Sequence, residues 1–371
     1  MKKLNVLQLC HDSKGPFVPI CAMYQKSFDP EKYEVHTVFL HDPYCEQHVN
    51  SLQGSEVHFL DLKAKSIRGR KLLAALKIAA FCRRNNIDLI IAHRYKAIYI
   101  AGIASLFTSI KVWGVAHTPN VFAKPNRKFF LQHICKHINI IGVSNSVTNN
   151  VLSTCPTLQD KNRVFSLPNC LDESREGELL SRSEARKALN INSDDYIFGT
   201  IGRLVDVKAH DVLLKAYARA KLNDSKLVII GGGRLRTELL QLATSLHIKE
   251  QVLFTGHVPQ AARLLKAFDT FVFSSTDDEA FGLAVLEAMM AKVPIVCSNA
   301  KGPTEVIGNT GISFRQGNDA ELAIKLLEVY QLTPTDLQAL AEKAYSRWHT
   351  HYSSKAFTKR SLALFAPSEH R

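Results

Sequence analysis

Short apolar runs alternate with longer amphipathic segments along almost the whole chain, and this alternation constrains the fold more than any other feature. In the first half, Leu4–Leu9, Tyr33–Leu40, Val57–Leu60, Asp88–Ala92, Lys111–Ala116 and Ile138–Val143 read as strands. Helices are expected from about Ser66 to Asn85 and over Ile100–Phe107. The second half repeats the pattern with strands at Tyr196–Ile201, Lys226–Ile230, Val252–Thr255, Thr270–Ser274 and Ile295–Cys297, and with helices at Ala209–Ala220 and Arg234–Leu246. The chain ends in an expected helix over Leu337–Phe365 that carries Trp348, Tyr352 and Phe357. Strands that alternate with helices pair in parallel, because each helix carries the chain back to the same end of the sheet.

A length of 371 residues is too great for one ordinary domain and comfortable for two. The alternation is interrupted once, where Leu167-Pro168-Asn169-Cys170-Leu171-Asp172 leads into the polar stretch Glu173 to Glu184. The expected division is therefore an N-terminal domain over 1–170 and a C-terminal domain over 171–371, the last helix (about 345–366) packing back on the first domain. The fold class is α/β, with two Rossmann-like doubly wound domains facing a central cleft. Ligands of such folds bind at the carboxyl ends of the strands.

Charge and cysteine usage narrow the partners. Residues 1–170 hold 22 Lys and Arg against 10 Asp and Glu, so nearly all of the net +13 lies in the first half. That points to an anionic partner for this half: a membrane surface, an acidic glycolipid or nucleic acid. Arg127-Lys128-Phe129-Phe130-Leu131-Gln132-His133-Ile134-Cys135-Lys136-His137 interleaves cations with apolar side chains, and Ser66–Arg84 is also basic. Each reads as a membrane-surface segment or as a helix with one solvated basic face. The longest uncharged apolar stretch, Ala97–Phe107, is roughly half of a membrane span, and the opening residues read as a buried strand rather than a signal peptide. The eight cysteines form no CxxC pair and read as reduced core residues of a cytoplasmic protein.

Three strand ends in the second half carry the candidate chemistry. In Gly199-Thr200-Ile201-Gly202-Arg203-Leu204-Val205-Asp206-Val207-Lys208, glycines allow backbone amides to approach a phosphate, and Arg203 and Lys208 add positive charge. A tight turn with two solvated cations explains the same residues. Ile230-Gly231-Gly232-Gly233-Arg234 resembles a degenerate nucleotide-binding turn without the full GxGxxG spacing, or a plain strand–helix turn. In the segment Ser274 to Met289 a helix is expected to begin near Phe281–Leu283, with Glu279 before it and Glu287 inside it. The amides of Phe281, Gly282 and Leu283 are then helix-start donors for a sugar or phosphate, and carboxylates suit sugar hydroxyls because each accepts two hydrogen bonds. Adjacent acids such as Asp277-Asp278-Glu279 rarely converge on one metal, so no metal site is expected.

These segments resemble the donor domain of glycosyltransferase family 4, the retaining GT-B enzymes. The family's E-x7-E signature corresponds to Glu279 and Glu287 in EAFGLAVLEAM, and its Gly-Arg-Leu-x-x-x-Lys element to Gly202, Arg203, Leu204 and Lys208. FTGHV (Phe254 to Val258, including His257), FDTFVFSS and GPTEVI (Gly302 to Ile307) follow in the family's order. The resemblance implies that Arg203 and Lys208 hold the donor diphosphate, that Glu287 binds the nucleotide ribose, and that Glu279 holds the transferred sugar with the amides of Phe281 to Leu283. It places Gly202, Gly233 and His257 around the nucleotide, Gly15 at the first glycine loop (here Gly15-Pro16 instead of a glycine pair), and His117 near the reacting sugar. A structural strand-end histidine is the alternative for His117. LCHDSKGPF and HTPN look like bacterial enzymes of lipopolysaccharide and surface-polysaccharide assembly.

The expected protein is thus a retaining hexosyltransferase that uses a nucleotide-sugar donor, UDP-linked by preference, and a lipid-linked or lipopolysaccharide-core saccharide acceptor. It needs no cofactor and no metal, binds no nucleic acid, and works at the anionic cytoplasmic face of the inner membrane. A nucleotide-sugar epimerase of the same fold and a basic nucleic-acid-binding protein remain as rival readings; the first lacks the E-x7-E context and the second has no use for the ordered motifs.

Overall fold

The computed structural model describes residues 3–13, 17–50, 52, 54–63, 71–158 and 162–365. They form two compact units, one of Met1–Asn169 with Ser354–Arg371 and one of Cys170–Ser353.

The first unit is built on seven strands: β1 (Leu4–Cys10), β2 (Tyr33–Phe39), β3 (Ser55–Phe59), β4 (Ile87–His93), β5 (Lys111–Ala116), β6 (Asn139–Gly142) and β7 (Val164–Ser166). Their order is β3-β2-β1-β4-β5-β6-β7, and the pairs from β1 to β7 are parallel. Val6, Leu7, Leu9, Ile90, Ile91 and Ala92 are fully buried, so β1 and β4 are covered on both faces as a parallel sheet requires. Helices Phe17–Lys26, Leu72–Arg84, Arg94–Ser105 and Asn145–Thr154 connect the strands.

The second unit carries β8 (Tyr196–Ile201), β9 (Ser225–Ile230), β10 (Val252–Gly256), β11 (Thr270–Phe273), β12 (Ile295–Ser298) and β13 (Ile312–Phe314). Their order is β10-β9-β8-β11-β12-β13, again with parallel neighbours. Phe198, Leu227, Ile229, Val272 and Val296 from the sheet pack with Leu213, Tyr217, Leu322 and Leu326 from the flanking helices. The strand order reverses between β8 and β11 in this unit and between β1 and β4 in the first, which are the two places where a doubly wound sheet opens a crevice.

The chain end differs from the single helix expected over Leu337–Phe365. It forms two helices, Pro334–Tyr352 and Ser354–Phe365. Ser353 between them is extended and bridges Leu171, whose N–H donates to the Tyr352 carbonyl at 3.0 Å. Trp348 and Tyr352 are buried in the second unit, while Phe357 and Phe365 pack on Tyr24, with ring centroids 5.1 and 6.4 Å away, in the first.

Candidate active site

At the β8–β11 switch point three strand ends are knitted together by backbone hydrogen bonds. Gly202 donates to Ile230 (3.0 Å), Leu204 to Gly232 (2.9 Å) and Gly231 to Gly256 (2.9 Å). The approach is close enough to exclude side chains: a Cβ on Gly233 would lie 2.3 Å from the Leu204 carbonyl oxygen. On the other side of the strand end, a Cβ on Gly202 would meet only the Lys208 side chain, at 3.5 Å. His257 follows β10, its Cβ in ordinary contact range of the position a Cβ would take on Gly232 (3.6 Å). Gly202, Gly233 and His257 are therefore brought to one place.

Lys208 is fixed from β11. Ser274 Oγ donates to the Lys208 carbonyl at 2.8 Å, and the Thr276 amide to that of Val207 at 2.9 Å. The Lys208 ammonium lies over the Phe273 ring, 4.6 Å from its centroid, and 2.6 Å from Glu279 Oε2. Both side chains of this pair are largely buried, 16% and 17% exposed, so solvent screens their charges little. Arg203 is exposed, and among the described residues it has no ion-pair partner. Arg234, in the neighbouring turn, pairs with Asp206.

Glu279 is held just before the helix Leu283–Met290, which starts after Gly282 at φ 98°, a conformation that favours glycine. The helix Lys301–Ile307 approaches this loop so closely that a Cβ on Gly302 would lie 2.4 Å from the Glu279 carbonyl oxygen. Among the described residues the amides of Phe281, Gly282 and Leu283 have no protein acceptor. Phe281 itself is buried, its ring 5.8 Å from that of Tyr352. Glu287 lies further along the helix and accepts a hydrogen bond from Arg175 Nη2 at 3.0 Å. Burial raises the Glu287 carboxyl above its ordinary range, against the opposing pull of Arg175 and, more weakly, Lys208. The arrangement offers cations, free helix-start amides and two carboxylates to one ligand that is both anionic and rich in hydroxyls.

Sequence reasoning missed Arg175, which lies in the polar stretch after the domain break and meets Glu287 only in the folded unit. It also missed a cluster at the β1–β4 switch point of the first unit. There His11 Nδ1 lies 2.5 Å from Asp12 Oδ2, Lys96 Nζ lies 2.8 Å from His11 Nε2, and Arg94 Nη1 lies 3.3 Å from Asp12 Oδ2. Gly15 lies outside the described residues. His117, at the end of β5, has its Nε2 3.2 Å from Nδ1 of the fully buried His93. Burial, then the nearby Arg94 charge, depresses His117 to about 3, and burial with the His117 charge depresses His93 as well. Both imidazoles are therefore neutral at pH 7. A histidine depressed in the fold contributes stability that is complete above its unfolded value near 6.5 and is lost as pH falls toward about 3. Thermal melts of the wild type should accordingly fall in midpoint between pH 6.5 and 4, and His117→Asn should flatten that fall. An unchanged slope in the variant would mean that His117 is not buried in its neutral form.

Two groups among the described residues have side chains close enough to share a metal ion, Cys10 with Cys21 and His93, and His36 with Glu56 and His58. Neither involves Asp277, which instead accepts the Lys301 amide at 3.0 Å.

Residues 181–347 match the model of the family "Glycosyl transferases group 1", and residues 12–150 that of "Glycosyl transferase 4-like". The chain is 29% identical over 293 residues to the N-acetylgalactosamine-N,N'-diacetylbacillosaminyl-diphospho-undecaprenol 4-alpha-N-acetylgalactosaminyltransferase of Campylobacter jejuni, covering 75% of this chain and 76% of that protein. It is 30% identical over 183 residues to the lipopolysaccharide core biosynthesis glycosyltransferase LpsE of Rhizobium meliloti, covering 49% and 53%. Its fold is similar to that of Anabaena Alr3699/HepE in complex with UDP and glucose, with a TM-score of 0.77 at 18% identity over 97% of this chain and 99% of that one.

Proposed function

Because the chain belongs to the group 1 glycosyltransferases, with a 4-like N-terminal half and the two Rossmann-like units of the GT-B fold, we propose that it is a retaining enzyme that transfers a hexose from a UDP-linked donor to a lipid-linked or lipopolysaccharide-core saccharide. Neither an epimerase nor a nucleic-acid-binding protein accounts for the two family matches. The observation that carries the proposal is the 2.6 Å pairing of Lys208 with Glu279 beside the Gly202 turn and the free amides of Phe281 to Leu283. It supports the reading because a cation suited to a diphosphate and a carboxylate suited to sugar hydroxyls lie side by side.

The reaction breaks the bond between the anomeric carbon and the diphosphate oxygen. Negative charge grows on the leaving phosphate, where Lys208, Arg203 and the helix-start amides act more strongly in the transition state than in the ground state. Glu279 holds the hexose, and Glu287 the ribose. No metal is assigned a step. The acceptor hydroxyl attacks from the face that the diphosphate leaves and passes its proton to the departing phosphate oxygen, so that UDP is released and the anomeric configuration is retained. The relative that acts on a diphospho-undecaprenol saccharide and the one named for lipopolysaccharide core biosynthesis support the acceptor class, and the fold relative with bound UDP and glucose supports the donor. A panel of UDP-, GDP- and ADP-hexoses, read by nucleotide release with a bacterial lipid extract as acceptor, tests the reading. Acceptor-dependent release from a UDP-hexose is expected; release from a GDP- or ADP-hexose alone overturns the donor, and release that ignores the lipid overturns the acceptor.

The first unit is proposed to rest on an anionic membrane surface on the cytoplasmic side. Leu72, Leu73 and Leu76 are exposed on the helix Leu72–Arg84, which also bears Lys77, Arg83 and Arg84. Phe129 and Ile134 are exposed beyond it. Lys71 lies 4.5 Å from the Tyr99 ring centroid, Tyr99 lies 4.5 Å from Phe130, and Arg127 lies 4.2 Å from Tyr95, so the two segments pack close to each other. Among the described residues no helix is long and apolar enough to cross a membrane. The protein should sediment with anionic liposomes at low salt, ignore neutral ones and be released as salt rises. Changing Arg127, Lys128 and Lys136 to Ser should weaken sedimentation without changing UDP affinity. Equal binding to neutral liposomes, or none to either, rejects the surface.

A further inference from the structure

The tripeptide Glu-Val-His occurs twice in the first unit, as Glu34-Val35-His36 on β2 and Glu56-Val57-His58 on β3. The parallel register sets His36 beside Glu56. Because side chains alternate along a strand, Glu34, His36, Glu56 and His58 share one face of the sheet. The rings of His36 and His58 lie 6.0 Å apart at 25°, and Phe81 of the helix Leu72–Arg84 presents an edge contact to both.

Glu56 Oε2 stands between the two rings, 3.2 Å from His36 Nδ1 and 3.6 Å from His58 Nε2. Neither nitrogen makes a hydrogen bond, although His36 is only 3% exposed. Both nitrogens approach Glu56 without forming a hydrogen bond to it, a costly arrangement for a buried imidazole that a cation shared by the three groups would relieve. Tetrahedral zinc, bonded to nitrogen and oxygen at about 2.0–2.1 Å, sets its ligand atoms roughly 3.3–3.4 Å apart. The observed separations are close to that spacing. The other nitrogen of His36 lies 4.0 Å from Glu34 Oε1, beyond hydrogen-bond distance. Glu56 is 57% exposed, which leaves an entry path and room for water.

We propose that His36, Glu56 and His58 form a zinc-class divalent-metal site, completed by water, that pins the edge strand β3 to β2. The proposal stands independently of the glycosyl-transfer reading, since none of these residues belongs to the donor site. It is tested on the full-length protein stripped with chelator, by titration with Zn(II) in a calorimeter and with Co(II) in a spectrophotometer. One equivalent of Zn(II) should bind and raise the melting temperature. His58→Asn and Glu56→Gln both replace partly exposed side chains, and the fold of each variant is checked by circular dichroism. Removing a direct ligand should weaken Zn(II) binding at least as much as the roughly 10–100-fold typical of changes to outer-shell partners. The Co(II) spectrum should lack the near-ultraviolet thiolate band, and Cys10→Ser with Cys21→Ser should leave the affinity unchanged. No Zn(II) binding, unaltered affinity in both His58→Asn and Glu56→Gln, or a thiolate band that disappears with the two cysteines overturns the proposal; the last would move the metal to the buried Cys10, Cys21 and His93 group.

Discussion

Replacing Lys208 with alanine is expected to reduce turnover by on the order of 10²–10³, the range for loss of one preorganised electrostatic group. Two effects act in the same direction. The leaving diphosphate loses a fixed cation, and the carboxylate of Glu279, 17% exposed and 2.6 Å from the Lys208 ammonium, loses its partner. A largely buried carboxylate so released repels the phosphate that the lysine attracts. The second effect can be separated from the first. Adding Glu279→Gln to Lys208→Ala removes the stranded charge, so the double variant should bind UDP more tightly than the single one while turnover stays low. Arg203→Ala should also reduce turnover by roughly 10²-fold or more, without the stranding effect, because Arg203 has no carboxylate partner among the described residues. Steady-state rates with the preferred UDP-hexose, alongside circular dichroism for folding, measure all of this. Near-normal turnover in both single variants, with folding intact, would remove the donor site from this strand end.

Most strands were legible because an apolar run is a local pattern; β7 (Val164–Ser166) and β13 (Ile312–Phe314), three residues each, were too short to read. An apolar run ending in glycine marks both a buried strand and the close backbone approach that follows it, as at Gly231 and Gly233. What the sequence hid depends on distance. Lys208 and Glu279 are 71 positions apart and Glu287 and Arg175 are 112 apart, so their spacing along the chain carries no sign that they meet. The same holds for His11, Asp12, Arg94 and Lys96, which come from the ends of two strands. The helix Phe17–Lys26 went unread; it carries Pro19 in its first turn, where proline is tolerated because its missing N–H has no partner to lose. The helix Asn145–Thr154 did carry a local signal, Ser144, whose side chain accepts from the Val147 amide at 3.1 Å. The break at Ser353 had none, since it is imposed by pairing with Leu171.

The two glutamates of the donor helix should separate cleanly in binding experiments. Glu287 is proposed to take the ribose hydroxyls, and hydrogen bonds to a charged group are worth about 1.5–3 kcal/mol each. Glu287→Ala should therefore weaken the affinity for free UDP by about 10- to 100-fold, at 1.36 kcal/mol per decade. Glu279→Ala should not weaken the binding of free UDP, because UDP carries no hexose and the freed Lys208 ammonium favours its phosphates, and should instead lower turnover and weaken UDP-hexose. The environment of Glu287 adds a pH signature. Burial raises its carboxyl in the fold, and only the ionised form accepts from both hydroxyls. UDP affinity should thus rise with pH from 4.5 through that raised value, and Glu287→Gln should reduce the rise to the part that comes from ionisation of the UDP phosphate itself, whose second pKa is about 6. The sign for stability is opposite: a carboxyl raised in the fold binds its proton more tightly there than in the unfolded chain, so the Glu287 contribution declines as pH rises across this window and partly offsets the histidine trend. Glu287→Gln should remove that offset and steepen the loss of stability toward acid pH. Calorimetry with UDP and with UDP-hexose, repeated from pH 4.5 to 7, reads both trends. If Glu279→Ala is the variant that loses free UDP and Glu287→Ala the one that keeps it, the roles of the two carboxylates are exchanged. The helix would then present the ribose to its first turn and the hexose to its interior.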